Sequence, residues 1–161
     1  MEFDELDVRL LALLADNPRI SVLELSRVAG VARATVTARM QRWQQRGVVT
    51  GYGPQVDLEA AGFPVQALAT LEIAQGRLGE ISAYLSSLPG VIEAYVTTGT
   101  GDVICRLAPA SNAGLQDLLI HLNESDAIRR STSVVILSTV VRHRVLPLLA
   151  GSLATDGEST R

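Results

Sequence analysis

The stretch that decides the architecture is Ser21-Val22-Leu23-Glu24-Leu25-Ser26-Arg27-Val28-Ala29-Gly30-Val31-Ala32-Arg33-Ala34-Thr35-Val36-Thr37-Ala38-Arg39-Met40-Gln41-Arg42-Trp43-Gln44-Gln45-Arg46-Gly47. It reads as two helices around a glycine. Ser21, followed three residues later by Glu24, is a capping-box signature, so a helix starts there. Val22, Leu25, Val28 and Ala29 give it a buried stripe. Gly30 ends it, because a left-handed residue suits a tight turn. The next helix runs from about Ala32 to Arg46 and stops at Gly47. Val36, Met40 and Trp43 recur at i, i+4 and i+7 and should face inward. The outer face then carries Arg33, Ala34, Thr37, Ala38 and Gln41, flanked by Arg39 and Arg42. Small and hydrogen-bonding side chains ringed by arginines suit base edges and phosphates. A short helix, a glycine turn and a second helix with a basic outer face make a helix-turn-helix.

Working outward, Asp4 to Ala15 reads as a preceding helix with Leu6, Leu10, Leu13 and Leu14 on one stripe. Asp4, Glu5 and Asp7 lie in its first turn, where negative charge suits the helix dipole. Asn17-Pro18 stops it. After Gly47, Val48 to Tyr52 reads as a strand that Gly53-Pro54 breaks, and Gln55 to Leu58 alternates as a second. Residues 60–64 form a connector, where the hinge is placed.

The remainder reads as strand–helix–strand–strand–helix–strand. Val65, Ala67, Ala69, Leu71 and Ile73 alternate with Gln66, Leu68, Thr70 and Glu72. Leu78, Ile81, Leu85 and Leu88 mark a helix before Pro89-Gly90. Val91 to Thr98 is a strand, Gly99 to Asp102 a turn, and Val103 to Ala108 the returning strand. Leu115, Leu118, Leu119 and Leu122 mark the second helix, and Ser133 to Val141 the last strand. This is the βαββαβ order of a ferredoxin-like fold, with both helices on one sheet face. Val134 to Leu137 and Val103 to Cys105 are apolar on both faces of their strands. The uncovered sheet face therefore needs a partner, and a second copy of the sheet is the simplest. The expected fold is α+β: an N-terminal winged helix-turn-helix domain plus a C-terminal ferredoxin-like βαββαβ domain. The expected divisions are 1–51 for the first domain, 52–63 for a hinge strand and linker, 64–149 for the second domain, and 150–161 for a disordered tail.

Charge sharpens this division. All fourteen basic residues among the 161 are arginine, and the net charge is −3. Between Asn17 and Gly53 six arginines face only Glu24, a local balance of +5, so a basic module sits beside an acidic one. No apolar run reaches the ~20 residues of a membrane span, the N-terminus lacks the pattern of a secretion signal, and a lone Cys105 makes neither an internal disulfide nor a metal cluster. A cytoplasmic protein without metal or cofactor is expected.

The chain resembles the leucine-responsive/asparagine-synthesis (Lrp/AsnC) family of transcription regulators from about Phe3 to Leu146. Asp4-Glu5-Leu6-Asp7 with Leu10-Leu11 is similar to the family's opening helix. Arg19-Ile20-Ser21 with Glu24-Leu25 is similar to its second. Thr35-Val36, Arg39, Arg42 and 47–52 are similar to its recognition helix and exit strand. Gly90-Val91, Thr98-Gly99 and Asp102 resemble its ligand-sensing domain. The resemblance implies a regulator bound to double-stranded DNA, with Arg33, Ala34 and Thr37 on bases and Arg39 and Arg42 on phosphates. For Arg39 a second reading stands, a pin that holds the helix to its own domain. The resemblance also implies homodimers that assemble into tetramers or octamers, and an amino-acid effector near the loop Thr98, Gly99, Thr100, Gly101 and Asp102. There the glycines admit backbone amides to a carboxylate, Asp102 accepts from an ammonium, and Ser131 and Ser133 add hydroxyls if they converge. The alternative is a hairpin whose glycines serve backbone shape alone.

Three positions depart from the family pattern. Ala32 stands where a capping serine is usual, Thr100 and Gly101 where an acid and an aromatic are common, and Ala127-Ile128 where Gly-Val is usual. Two other functional classes compete with a regulator. An enzyme would need more than His121, His143 and a core cysteine, which lie near no other ligand or nucleophile in sequence. An amino-acid-binding regulatory subunit would not need the arginines from Arg33 to Arg46.

Overall fold

The computed structural model describes residues 3–151. They fold as two compact units, one holding 3–55 with 141–151 and the other Val56–Val140.

The first unit is helical. Helix α1 (Glu5–Asp16) starts at Asp4, which is its N-cap. Asp4 Oδ1 accepts from the Asp7 amide at 2.8 Å and Asp7 Oδ2 accepts from the Asp4 amide at 3.3 Å, a reciprocal box at an unpaired helix start. Helix α2 (Val22–Ala29) is capped by Ser21 Oγ, which accepts from the Glu24 amide at 3.1 Å. Only that half of the expected box forms; the Glu24 carboxylate lies 3.9 Å from Arg27 instead. Gly30 takes the left-handed conformation at φ 69° and turns the chain into α3 (Arg33–Gln45). Leu10, Leu25, Ala29, Val36 and Trp43 form the core of the three helices. The expected inward stripe of α3 is therefore realised, with Met40 packed at its margin.

The two strands expected after α3 do not form: residues 48–58 carry no strand. The amides of Val48 and Val49 instead donate back to the Trp43 carbonyl at 2.8 and 3.4 Å, closing the helix end after Gly47. A β-patterned segment becomes a strand only by pairing, and the described part of this unit otherwise holds helices alone.

The second unit is α+β. Strands β1 (Ala67–Ile73), β2 (Val91–Val96), β3 (Val103–Leu107) and β4 (Ile128–Val135) form an antiparallel sheet in the order β2-β3-β1-β4, with α4 (Leu78–Ser87) and α5 (Asn112–Asn123) as crossovers. Ala67, Ala69, Leu71, Val103, Cys105 and Leu107 point to the helix side and pack on Ile81, Leu85, Leu115 and Leu122. Burial pushes the Cys105 thiol up to about 11, so it behaves as a small core residue rather than a nucleophile. The other sheet face carries Leu68, Ile104, Tyr95 and Val134, of which Tyr95 is 58% and Val134 60% exposed.

The last strand is shifted from its expected place. It starts at Ile128 rather than Ser133, because Arg129 to Thr132 lie on an edge strand where charged side chains meet water. It ends at Val135 because its partner ends there: Ala67 pairs with Val135, and one further bond runs from the Ile136 amide to the Gln66 carbonyl at 2.8 Å. A short helix at 146–151 includes Ala150 and Gly151, where the disordered tail is expected to begin; from 152 onward the tail lies outside the described residues.

Candidate nucleic-acid interface and ligand loop

Helix α3 sorts its side chains sharply. Val36 and Trp43 are fully buried, while Arg33, Ala34, Thr37, Ala38 and Gln41 are exposed. The helix thus presents the small, polar and basic face that its sequence predicts. It begins without a side-chain cap, since Ala32 offers none.

Arg39 and Arg42 are differently placed. Arg39 Nη1 lies 2.6 Å from Asp4 Oδ1 and 2.7 Å from Asp7 Oδ1, and its side chain is only 19% exposed. Arg42 Nη2 donates to both Asp7 oxygens at 3.1 Å, and its side chain keeps 42% exposure. Trp43 Nε1 donates to Asp7 Oδ1 at 3.1 Å. Three donors of α3 therefore converge on one carboxylate of α1 that is 1% exposed. The hydrogen bond from Arg39 holds the Asp4 carboxyl down to about 2, and the same bond raises Arg39 above its ordinary value. Stripping a buried carboxylate of its partners costs roughly 3–5 kcal/mol. A solvated ion pair is worth about 1 kcal/mol or less. Arg39 is thus paired inside its own unit, with two carboxylates within 2.7 Å of its Nη1.

A third arginine is also tied internally: Arg9 Nη2 donates to the Val28 carbonyl at 2.9 Å, near the end of α2. Residues 3–55 hold seven arginines and five acids, so much of the basic excess around α3 is balanced by α1. Sequence reasoning places Asp4 and Asp7 as dipole charges and misses this role. The signal is nonetheless present: Asp7 stands at i−3 and i−7 from Leu10 and Leu14, an acid on an apolar stripe in a chain region rich in arginine.

The Thr98–Asp102 loop joins β2 to β3. Thr98, Gly99, Thr100 and Asp102 are exposed and Gly101 is buried. Gly99 turns at φ 117°. A Cβ on Gly101 would sit 2.2 Å from Thr70 Cγ2, so this glycine is required by close approach of β1. Asp102 is held at three points. Its amide donates to the Leu71 carbonyl at 2.9 Å, its carbonyl accepts from the Thr97 amide at 2.9 Å, and its Oδ2 accepts from the Ile73 amide at 2.7 Å. That last amide lies at the irregularity between Glu72 and Ile73, where the strand needs a substitute acceptor. Thr97 Oγ1 closes the loop on the Gly101 carbonyl at 2.9 Å. Neither Thr97 nor the Ile73 amide stands out in the sequence. Ser131 donates to Asn123 Oδ1 at 2.9 Å, and Ser133 sits opposite Ala69. Neither has a hydrogen bond to the loop. Among the described residues no cluster of His, Cys, Asp or Glu is placed to hold a metal, and no helix is long and apolar enough to cross a membrane.

Comparison with known proteins accounts for both halves of the chain. Residues 3–43 match the AsnC-type helix-turn-helix domain, and residues 66–146 match the Lrp/AsnC ligand binding domain. The HTH-type transcriptional regulator FL11 of Pyrococcus horikoshii is 23% identical over 90% of this chain and 96% of its own length. The regulator AldR of Mycolicibacterium smegmatis is 29% identical over 83% of this chain and 81% of its own. Among solved structures, AsnC of E. coli superposes with a TM-score of 0.85 at 27% identity, covering 91% of this chain and 100% of that one. The Neisseria meningitidis regulator NMB0573, solved as a complex with L-Met, shares the fold at a TM-score of 0.79 and 18% identity, over 87% and 93% of the two chains. A helix-turn-helix with an exposed basic helix face, followed by a ligand-binding α+β sheet domain, makes this chain a DNA-binding transcription regulator of the Lrp/AsnC family.

Proposed function

We propose that this regulator reads DNA through the outer face of α3 and that an amino acid at the Thr98–Asp102 loop modulates its assembly or its DNA binding. The observation that carries the reading is the sorting of α3: Val36 and Trp43 fully buried, Arg33, Ala34 and Thr37 exposed on one side. In this reading Arg33, Ala34 and Thr37 meet base edges in the major groove. Arg42, anchored on Asp7 by one nitrogen and partly exposed, meets a phosphate. Arg39 pins α3 to α1 and stays off the DNA.

The effector reading rests on chemistry at one loop. Gly99 and exposed Thr98 and Thr100 leave backbone and hydroxyl groups open to a carboxylate, and Asp102 offers an oxygen to an ammonium. Asp102 then has two tasks, since it also holds the Ile73 amide. The open sheet face with Leu68, Tyr95 and Val134 supports a homodimer through the second unit, with dimers assembling into tetramers or octamers in the cytoplasm. An effector that prefers one assembly over another shifts the population and with it the spacing of the reading heads.

The test is a gel shift with DNA upstream of the protein's own coding region, run across salt and with each of the twenty amino acids, alongside a thermal-shift screen. Binding must weaken as salt rises. An effector must raise the melting temperature, and the rise must keep growing with the logarithm of its concentration above Kd. Binding that is absent or indifferent to salt overturns the DNA reading; a response to an amino acid that survives Asp102→Ala overturns the effector site.

A further inference from the structure

We infer that Asp7 on α1 is a positioning residue for sequence recognition: by gathering Arg39, Arg42 and Trp43 onto one buried carboxylate it fixes the rotation of α3 and offsets the positive charge that its reading side offers to DNA of any sequence. The inference rests on the reading of α3's outer face given above.

Three observations carry it. The donors come from one side of the helix, at positions 39, 42 and 43, and all end on Asp7 at 2.7 to 3.1 Å. The start of α3 has no side-chain cap to orient it, so its aim depends on contacts further along. At about 100° per residue, Ala34 lies roughly opposite Trp43 around the axis. Whatever holds Trp43 inward therefore holds Ala34 and Gln41 outward, with Thr37 about 60° from Ala34 and Arg33 on the flank, about 80° from Trp43. Asp4 adds a second, exposed carboxylate on Arg39 at 2.6 Å, which steadies the same corner.

Charge gives the role a signature that simple loss of folding lacks. With Asp7 neutral, Arg39 keeps only the exposed Asp4, Arg42 loses its anchor, and the net positive charge beside the reading face rises by one. Non-specific DNA binding should then hold or rise while specific binding falls.

The experiment measures the affinity of the full chain for two duplexes: the one wild-type protein enriches from a randomised pool, and a shuffled version of it. For Asp7→Asn the specific-to-shuffled ratio should fall at least about tenfold, the scale of losing one well-formed base contact. Affinity for the shuffled duplex should be retained or increased, with a salt slope steeper by up to ~0.9 per protomer bound, the share of the single added charge. Asp4→Asn, which removes only the exposed partner, should lower the ratio about two- to threefold. Trp43 fluorescence checks folding of each variant. An unchanged ratio in Asp7→Asn, or parallel loss of both affinities in Asp7→Asn and Asp4→Asn, overturns the positioning role. Arg33→Ala and Thr37→Ala distinguish the premise: if they too leave the ratio unchanged, the reading of α3's face fails along with it, whereas a failure confined to the aspartate variants overturns the positioning role alone.

Discussion

Replacing Asp7 by alanine should unfold the helical unit at markedly lower denaturant, and the size of the effect follows from the atoms left behind. Trp43 is fully buried and its Nε1 would lose its acceptor. A buried donor without a partner costs about 1–3 kcal/mol. Arg39, 19% exposed, would retain Asp4; Arg42, 42% exposed, would turn its Nη2 to water. Their loss is therefore partial, about 1–2 kcal/mol for the two together, well short of the roughly 3–5 kcal/mol typical of a broken buried pair. The reciprocal cap on the Asp4 amide also disappears, although its 3.3 Å length makes that bond a weak contributor. The sum is about 3 kcal/mol. With a urea m-value of about 1.5 kcal/mol/M, suited to a small domain, the midpoint moves down by about 2 M. Trp43 is the sole tryptophan and lies inside this unit, so its emission reports this transition. A shift below ~0.5 M would refute the reasoning, because it would mean that the three donors find equal partners without Asp7.

Three further outcomes follow from the same geometry. Ala32→Ser should restore a side-chain cap to α3 and raise the stability of the helical unit by about 1 kcal/mol, read from the same urea curve. Gly101→Ala should destabilise the sheet unit by about 1–3 kcal/mol through contact with Thr70 Cγ2, and Thr70→Ser, which removes that methyl, should recover most of the loss in a thermal melt. Asp4 has a depressed carboxyl, so its contribution is present above its ordinary value of 3.8 and disappears as pH falls toward about 2. Its side chain is 56% exposed, which limits the effect to under about 1 kcal/mol; acid titration of the melting temperature should be shallower between pH 4 and 2 in Asp4→Asn than in wild type.

The parts of the fold that are legible in the sequence are those that local rules determine. Ser21 and Gly30 bound α2 because caps and left-handed turns depend on neighbours along the chain. Val36 and Trp43 fall in the core because helical spacing fixes which face they share. Pairing is not local, and that is where sequence and structure part. Val48 to Tyr52 reads as a strand but has no strand beside it among the described residues of its unit. Ile128 to Thr132 looks too polar for a strand but has β1 to pair with, and the strand it opens stops where β1 stops. The candidate site divides in the same way. Arg33, Ala34 and Thr37 stand on the exposed face that their spacing gives them. Arg39 shares the charge of Arg33, but it stands three residues after Val36 and four before Trp43, so its spacing sets it on their side of the helix; that Asp4 and Asp7 receive it depends on the three-dimensional path of α1. Asp102 stands out for its charge, whereas its bond to the Ile73 amide depends on an irregularity in β1 that no spacing announces.

The central claim is that α3 divides its arginines between holding and reading, and the salt dependence of DNA binding tests it most directly. The slope of log affinity against log salt counts the phosphates neutralised and does not change with the fraction of active protein. The account predicts that Arg42→Gln lowers the slope by about 0.9 for each protomer bound, while Arg39→Gln leaves it at the wild-type value even if affinity falls. Equal reductions in the two variants, or a reduction in Arg39→Gln alone, would contradict it.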